Sequence, residues 1–329
     1  FAELPLPLQP SLASPCWRRN ETSRLRCLPA FFVAGALQSG TADLWRRLKA
    51  HSLIPSRHDA LSHWWTNHPR SRAGNFETYT SRFSGDATLA ALDAAPDSLL
   101  GDASPASFTF MFAESLRLHY RYLDAFDACY RECKANPPQR GAPSACANRK
   151  KGSDGGYRAD HCYGRATAAT SPLSFNLPAF ATTLLPALRV VVMLREPAER
   201  LWIAFHSYGQ YPAKYGQGAA GFGGYFGNQS AAWHSCASRH GVRPCALRFE
   251  GHGPEQADVY YHCDQLIKGM YSAFLPEWQA YFAPERLLVL PSSEHFARPM
   301  RSTRLVWRWL GLREASQQEE ADARRVKEG

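Results

Sequence analysis

The fold is decided by the stretch at residues 28–51, which reads LPAFFVAGALQSGTADLWRRLKAH. Its first part, Leu28 to Gly35, is a continuous apolar run that is typical of a buried parallel strand. From Thr41 to His51, apolar side chains recur at helical spacing and predict a helix. Because Gly35 begins the turn between the two, the stretch predicts a strand, a turn and a helix in succession.

The same pattern recurs toward the C-terminus. Residues 188–194 (LRVVVML) predict a second buried strand, and Pro197 fits the first turn of the helix that follows. The later segments predict a long helix at 264–282 interrupted by Pro276, a strand at 286–290 and a helix at 303–312. Strands that alternate with helices predict an α/β fold, with a central parallel sheet covered by helices on both faces.

Three regions lack this pattern. Residues 1–27 are rich in Pro, Ser and Arg and predict a lead-in or stem, so we place the domain at 28–329. A region at about 125–165 carries four cysteines and predicts a disulfide-stapled insertion. Residues 209–227 hold seven glycines and predict a mobile surface loop or lid. The chain thus predicts one domain with an insertion and a lid.

Composition limits the classes of protein that fit. The 329 residues include 38 Lys+Arg against 29 Asp+Glu, a formal charge of +9, and 31 of the 38 basic residues are Arg, which suits bidentate recognition of phosphate or sulfate. With 45% hydrophobic and 20% charged residues, the chain does not fit a disordered or coiled-coil protein. Apolar runs stay below the length of about 18 residues that a membrane span needs. The charge alone permits a nucleic acid as partner, but no nucleic-acid-binding fingerprint supports that reading.

Nine cysteines and two sequons, Asn20-Glu-Thr22 and Asn228-Gln-Ser230, favour an oxidising secretory compartment. The cysteines form no C-x-x-C pair and no histidine follows at finger-like spacing, which argues against structural zinc. The alternative is a cytosolic protein with reduced cysteines in its core. Since the chain begins at Phe1, we expect it to be a portion of a longer protein.

Two motifs could bind an anion. The turn from Gly35 to Ala42 follows a buried strand and opens a helix, so its backbone N–H groups can cradle a phosphate. It has the glycine frame of a Walker A loop, but Thr41 stands where an ATP-hydrolysing protein needs Lys. Arg195 follows the second strand, where ligands of open α/β sheets bind. The alternatives are a turn without a ligand and an Arg that forms a salt bridge near a helix start.

Together the motifs resemble those of the PAPS-dependent sulfotransferases, and most closely the Golgi carbohydrate group of the N-acetylgalactosamine 4-sulfate 6-O-sulfotransferase type. The resemblance runs in order from about Cys27 to Leu312. It rests on these matches: Cys27 to Gly35, Thr41-Ala-Asp-Leu-Trp45, His63-Trp-Trp65, Gly101-Asp-Ala-Ser-Pro105, Val191 to Arg200, and Gly269-Met-Tyr271 through Trp278 to Leu290. It implies a P-loop-like three-layer sulfotransferase fold and a disulfide between Cys236 and Cys245.

The resemblance also implies a function. PAPS would give its sulfuryl group to a hydroxyl of an anionic glycan, such as a sulfated galactosaminoglycan, with PAP as product and no metal. The implied nucleotide-binding residues are Gly35, Gln38, Ser39, Gly40, Thr41 and Ala42 for the phosphosulfate, and Arg195 and Ile203 for the 3′-phosphate. Such enzymes reside in the Golgi lumen, as type II membrane proteins or secreted fragments, so we expect any anchor to lie outside this chain.

The chain departs from the family pattern at the positions that carry chemistry. Gln38 replaces a Lys that stabilises charge on the leaving phosphate, and losing such a donor commonly costs about two orders of magnitude in rate. Ala42 replaces a Thr, and Ile203 replaces the Ser of the 3′-phosphate motif, which His206 or Ser207 would have to compensate. A second reading is therefore a degenerate member that binds nucleotide or glycan without efficient transfer.

The family's catalytic base is also missing at the matching position of this sequence. Family members carry Lys-Glu just before the residue that matches His63, whereas an ungapped match puts Ala60 and Leu61 there. The chemistry needs a carboxylate or His near the acceptor hydroxyl, and Asp59 and His63 are the candidates. The alternative roles are an Asp in a turn and a His packed beside two tryptophans. With Gln38, these two residues make up the predicted catalytic set.

Overall fold

The computed structural model describes residues 7–20, 23–55, 63–66, 76–109, 177–247 and 264–326, together with 128, 150–151 and 157–158. The described strands are β1 (Cys16–Trp17), β2 (Arg26–Cys27), β3 (Phe31–Gly35), β4 (Gly101–Ala103), β5 (Lys150–Lys151), β6 (Tyr157–Arg158), β7 (Arg189–Leu194) and β8 (Leu287–Pro291). The described helices are α1 (Thr41–Leu48), α2 (Phe76–Ser81), α3 (Asp86–Ala94), α4 (Leu177–Leu184), α5 (Pro197–Ser207), α6 (Gln210–Tyr215), α7 (Gly218–His240), α8 (Val242–Leu247), α9 (Tyr271–Gln279), α10 (Ser292–Ala297), α11 (Pro299–Trp309) and α12 (Gln317–Arg324).

The central sheet is parallel and has the strand order β4-β3-β7-β8. The chain runs from β3 outward to β4 and then crosses to β7 on the other side of β3. The strand order therefore reverses beside β3. In open α/β sheets, ligands bind at the carboxyl ends of the strands at such a switch point. This topology places the loop after β3 next to the loop after β7.

Helices cover both faces of the sheet, because alternate strand residues point to opposite sides. Phe32, Ala34, Val190 and Val192 belong to one core cluster, which also holds side chains of α4 and α9. Phe31, Val33, Val191 and Met193 belong to the other, which includes α1 and α11. The predicted three-layer α/β architecture is thus confirmed.

Most of the predicted elements are confirmed, with shifted ends. β3, α1, β7 and α5 lie where the apolar patterns place them, and Pro197 occupies the first turn of α5. The helix predicted at 303–312 begins earlier, at Pro299. The predicted interruption at Pro276 is wrong, since Pro276 lies inside α9, where buried Phe274 and Trp278 hold the helix in the core.

The break in that segment lies instead at residues 268–270, between the helical residues 264–267 and α9. Gly269 lies in this break, and its backbone faces α5. A Cβ on Gly269 would lie 3.4 Å from Cβ of Pro197 and 3.6 Å from Nε of Arg200. These are ordinary van der Waals distances, so the turn lies in contact with α5.

The loop or lid predicted at 209–227 is wrong, because the structure has α6 and the start of α7 there. Buried residues recur about every four positions along α7, from Gly221 through Tyr225 to Trp233, and this pattern outweighs the helix cost of the glycines. Gly221 itself is required by close packing, since a Cβ there would lie 1.9 Å from the carbonyl oxygen of Gly216.

The packed structure begins before the predicted boundary at residue 27. Cys16 and Trp17 of β1 pair with β2 and are fully buried in the core. A disulfide joins Cys16 to Cys27, a pairing that the sequence did not predict. The segment predicted as a stem therefore contributes to the domain itself.

The disulfide expected between Cys236 and Cys245 is present and links α7 to α8. The predicted cysteine-rich insertion at about 125–165 lies almost entirely outside the described residues, apart from the short β5–β6 pair. In the described part of the chain, we find no helix that combines the length and the apolar character of a membrane span.

Candidate functional site at the sheet switch point

The two predicted anion-binding motifs lie side by side. β3 and β7 are hydrogen-bonded neighbours, and Gly35 at the end of β3 pairs in register with Val192 of β7. The backbone N–H of Ala36 then donates to the carbonyl of Met193 over 2.8 Å. The loop after β3 and Arg195 after β7 therefore start from adjacent points on the carboxyl edge of the sheet.

The loop after β3 enters α1 through two residues in the left-handed backbone region. Gln38 and Gly40 adopt positive φ angles of 62° and 88°, and Gly40, the N-cap residue of α1, has no side chain that could cap the helix. A Cβ on Gly40 would lie 2.7 Å from Cζ of Phe296, so only glycine fits there. The carbonyl of Ser39 accepts a 2.6 Å hydrogen bond from Ser292, which anchors the loop from α10.

Arg195 is held above the same phenylalanine ring. Its guanidinium lies 4.7 Å from the ring centroid of Phe296, and its Nε is 3.7 Å from a carboxylate oxygen of Glu199. The Arg195 carbonyl accepts a 2.8 Å hydrogen bond from the Tyr271 hydroxyl. Phe296 thus touches both Gly40 and Arg195, and fixes the loop and the cation relative to each other.

Behind the loop, a buried ion pair fixes the first turn of α1. Asp43 accepts hydrogen bonds from Arg47 at 2.6 Å and lies 2.8 Å from Nε2 of His295. Burial acts to raise the pKa of Asp43, but its bonds to His295 and Arg47 outweigh that effect and hold the pKa below its usual value. The Asp43 carboxylate is therefore already neutralised by partners within the fold.

The positions that follow Arg195 in its predicted motif lie on α5. Ile203 is half-buried, and Ala42 of the loop is exposed. His206, one candidate for compensation, is exposed and packs against Trp202 with ring centroids 4.4 Å apart, while Ser207 is also exposed.

Arg200 of the same motif is fully buried, and one of its nitrogens donates to the Gln265 carbonyl. Within the part of the chain that the structure describes, Nε and Nη1 of Arg200 have no hydrogen-bond partner. Burial lowers the pKa of Arg200, and the nearby Tyr271 and Tyr225 act in the opposite direction. The buried side chain of Arg200 therefore connects α5 to the segment that contains Gln265.

The two predicted bases have different outcomes. Asp59 lies outside the described residues. His63 is half-buried with a positive φ of 43°, and its backbone N–H donates to the Ser104 hydroxyl over 3.0 Å, just beyond β4. Burial lowers the pKa of His63, the Asp102 carboxylate raises it, and the Lys268 ammonium lowers it further. His63 thus lies beside the carboxyl end of β4, the strand next to β3, with its pKa lowered chiefly by burial.

Sequence reasoning missed the residues that support the site from distant parts of the chain. Phe296, Ser292 and Tyr271 each contact the loop or Arg195. Asp102 and Lys268 flank His63 electrostatically. The motifs at 101–105 and 269–271 marked two of these regions, but nothing in the local sequence pointed to α10.

Comparisons with known proteins return carbohydrate sulfotransferases among the sequence relatives. No family model matches the chain. "Carbohydrate sulfotransferase 15" of Mus musculus and of Homo sapiens are each 24% identical to it over 299 residues, 91% of this chain and 46% of the relative. The chain spans about half the length of these curated relatives. The matches support the carbohydrate sulfotransferase family and do not distinguish its subtypes.

Two solved structures are also similar. A sulfotransferase from Alicyclobacillus acidocaldarius matches with a TM-score of 0.44 and 15% identity, covering 88% of this chain and 85% of that one. A sulfotransferase domain from the Curacin biosynthetic pathway matches with a TM-score of 0.33 and 11% identity, covering 90% and 77%.

Proposed function

We propose that this chain transfers the sulfuryl group of PAPS to a hydroxyl of an anionic glycan, in the manner of the N-acetylgalactosamine 4-sulfate 6-O-sulfotransferases that its motifs resemble. One observation carries the proposal. The loop Gly35 to Ala42 follows β3, Arg195 follows the neighbouring strand β7, and one phenylalanine side chain contacts both. Phe296 lies against both Gly40 and Arg195. Two separated anionic groups on one nucleotide fit this arrangement.

Two features of the described residues support binding of the nucleotide phosphates. Because the N-cap residue Gly40 has no side chain to cap α1, the first N–H groups of the helix are available as donors to an oxyanion in this proposal, and the helix dipole adds to the attraction. The set proposed for the 5′-phosphosulfate is Gly35, Gln38, Ser39, Gly40, Thr41 and Ala42. Arg195 would bind the 3′-phosphate in a bidentate pair, while Ile203 offers only apolar contact. We therefore expect binding to depend strongly on Arg195.

The reaction exchanges one sulfur–oxygen bond for another and moves one proton to a base. An acceptor hydroxyl attacks sulfur, the sulfur–oxygen bond to the phosphate breaks, and PAP leaves with the electron pair. The hydroxyl proton passes to a base, for which His63 and Asp59 are the candidates. Gln38 donates a hydrogen bond to the leaving oxygen without supplying charge. Lys268, whose ammonium is paired with Asp264 at 2.7 Å, lies near His63 and lowers its pKa.

The alternative is a degenerate member of the same family, and specific residues favour it. Gln38, Ala42 and Ile203 each lack a group that the family pattern uses, whereas the fold and Arg195 remain in place. Such a protein would bind PAP or an anionic glycan and transfer little sulfate.

The compartment is proposed from the cysteines and a sequon. Two disulfides, Cys16–Cys27 and Cys236–Cys245, suit an oxidising lumen. Asn228 of the second sequon is exposed on α7, where it can carry a glycan. We place the protein in the Golgi lumen, where glycans and PAPS meet.

Two measurements test the function in sequence. Calorimetric titration with PAP tests the nucleotide site, and transfer from PAPS to a sulfated galactosaminoglycan tests the chemistry. Binding followed by turnover supports the enzyme. Binding without turnover supports the degenerate reading, and absence of PAP binding contradicts both.

A further inference from the structure

We propose that Asp102 is a positioning residue for His63 and acts through the hydroxyl of Ser104. The inference rests on the proposed function, because it assigns His63 the role of proton acceptor. In this role Asp102 determines where His63 lies without itself binding the substrate.

A continuous chain of hydrogen bonds connects the two residues. The Ser104 hydroxyl donates to Oδ1 of Asp102 over 2.6 Å and accepts the backbone N–H of His63 at 3.0 Å. Asp102 belongs to β4, which pairs with β3 at the edge of the nucleotide loop. The link spans 41 residues between His63 and Ser104, so it is a tertiary contact and not a local turn.

The second oxygen of the carboxylate holds the same segment from the other side. Oδ2 of Asp102 accepts the Tyr79 hydroxyl at 2.8 Å, and the Tyr79 oxygen accepts the indole N–H of Trp65 at 2.9 Å. Trp65 lies two residues after His63. The carboxylate thus holds residues 63–65 at two points, through the backbone of His63 and the side chain of Trp65.

This arrangement matters because the backbone of His63 is strained. A non-glycine residue at a φ of 43° costs about 1 kcal/mol and needs surrounding contacts to hold it. Asp102 is only 2% exposed, and a buried carboxylate is retained at a cost unless hydrogen bonds satisfy it. The hydrogen bonds from Ser104 and Tyr79 satisfy the Asp102 carboxylate, and they also hold the segment at residues 63–65 in place.

Asp102 also acts on the charge of the imidazole. Among the described residues, the charged groups that face His63 are Asp102 on β4 and Lys268 in the turn before α9. Burial and Lys268 both lower the pKa of His63, and Asp102 opposes them. Removing the carboxylate would therefore leave a less basic imidazole, and also a less fixed one.

The test compares two buried serines at opposite ends of β4. Ser104→Ala breaks the link to His63, while Ser104→Thr keeps the hydroxyl. Ser14→Ala is the matched control, because the Ser14 hydroxyl bridges the Ser98 carbonyl at 2.8 Å and the Leu100 N–H at 2.9 Å, far from the site. All variants are assayed for kcat and for KM of PAPS at a temperature at which circular dichroism shows them folded.

We expect kcat to fall about tenfold or more in Ser104→Ala, since misplacing a reacting group by about 1 Å costs up to a hundredfold. KM for PAPS stays unchanged, Ser104→Thr recovers most of the rate, and Ser14→Ala keeps kcat within about twofold. In Asp102→Asn, the acid limb of kcat/KM moves to lower pH. Equal losses in Ser104→Ala and Ser14→Ala would overturn the proposal.

A second readout separates this proposal from the proposed function. NMR titration of the His63 ring, identified by its loss in His63→Gln, reports the imidazole without turnover. The pKa of His63 falls in Asp102→Asn and is unchanged in Ser14→Ala. If the wild-type chain transfers no sulfate, the proposed function is contradicted, and the titration still tests the effect of Asp102 on His63. An unchanged His63 titration in Asp102→Asn contradicts the proposed effect of Asp102 on the imidazole, and an unchanged kcat in Ser104→Ala contradicts the positioning role.

Discussion

Replacing Arg195 with alanine separates nucleotide binding from folding. Hydrogen bonds between charged partners contribute about 1.5–3 kcal/mol, so loss of a bidentate pair weakens PAP binding by about 3 kcal/mol, or about a hundredfold in Kd. The fold loses much less. The pair with Glu199 is long, at 3.7 Å, and the Glu199 side chain is 59% exposed, so it contributes at most about 0.5 kcal/mol. Stacking on Phe296 adds about 0.5–1 kcal/mol.

Isothermal titration calorimetry with PAP measures the effect, and thermal denaturation shows that the variant is folded. Arg286→Ala is a matched control, because Arg286 also lies over a phenylalanine, Phe282, with 5.6 Å between the guanidinium and the ring centroid. It precedes β8 and so lies at the amino edge of the sheet. We expect its Kd to stay within about twofold of wild type. A folded Arg195→Ala variant that binds PAP as tightly as the control would refute the assigned role.

Three further predictions concern charge, acid and packing. Gln38→Lys should raise PAPS turnover by about two orders of magnitude in steady-state assays, and no gain would show that Gln38 does not limit catalysis. Burial acts to raise the pKa of Glu319, but hydrogen bonds from Arg313 and from neighbouring N–H groups hold that pKa well below 4.5. The ionised Glu319 therefore stabilises the folded state above about pH 4.5, and this contribution to the free energy of unfolding is lost as the pH falls. Urea unfolding should show a weaker acid dependence in Glu319→Gln. Gly221→Ala should lower the melting temperature, whereas Gly223→Ala, with nothing within 4 Å, should raise it slightly.

The strands and the nucleotide loop could be predicted from the sequence because their signals are local. The run from Leu28 to Gly35 is apolar throughout, as a strand buried on both faces must be. The glycines at 35 and 40 stand at the spacing that a turn before a helix requires, and close contacts with Phe108 and Phe296 explain both of them.

The partners of the loop could not be predicted in this way. Phe296 and Ser292 lie at least 250 positions after the loop, and α10 carries no motif that points to a nucleotide. Their placement follows from β8 pairing with β7, which is a long-range contact. The prediction of a loop at 209–227 was wrong for another reason. It relied on the glycine content, whereas the spacing of Tyr225 and Trp233 is that of one face of a helix.

The role of Asp102 shows a third limit of sequence reasoning. The motif from Gly101 to Pro105 was recognised as part of a resemblance, but its chemistry depends on His63, 39 residues earlier than Asp102. Only the folded structure shows that Ser104 connects the carboxylate to that histidine.

The most direct test of the proposed function is transfer of radiolabelled sulfate. Wild-type protein is incubated with [35S]PAPS and a sulfated galactosaminoglycan, and label on the glycan is measured together with PAP released. We predict label on the glycan in proportion to PAP, and a loss of at least about tenfold in Arg195→Ala but not in Arg286→Ala. Normal PAP binding with no label on the glycan would contradict the enzymatic account and leave a binding protein with a sulfotransferase-like site.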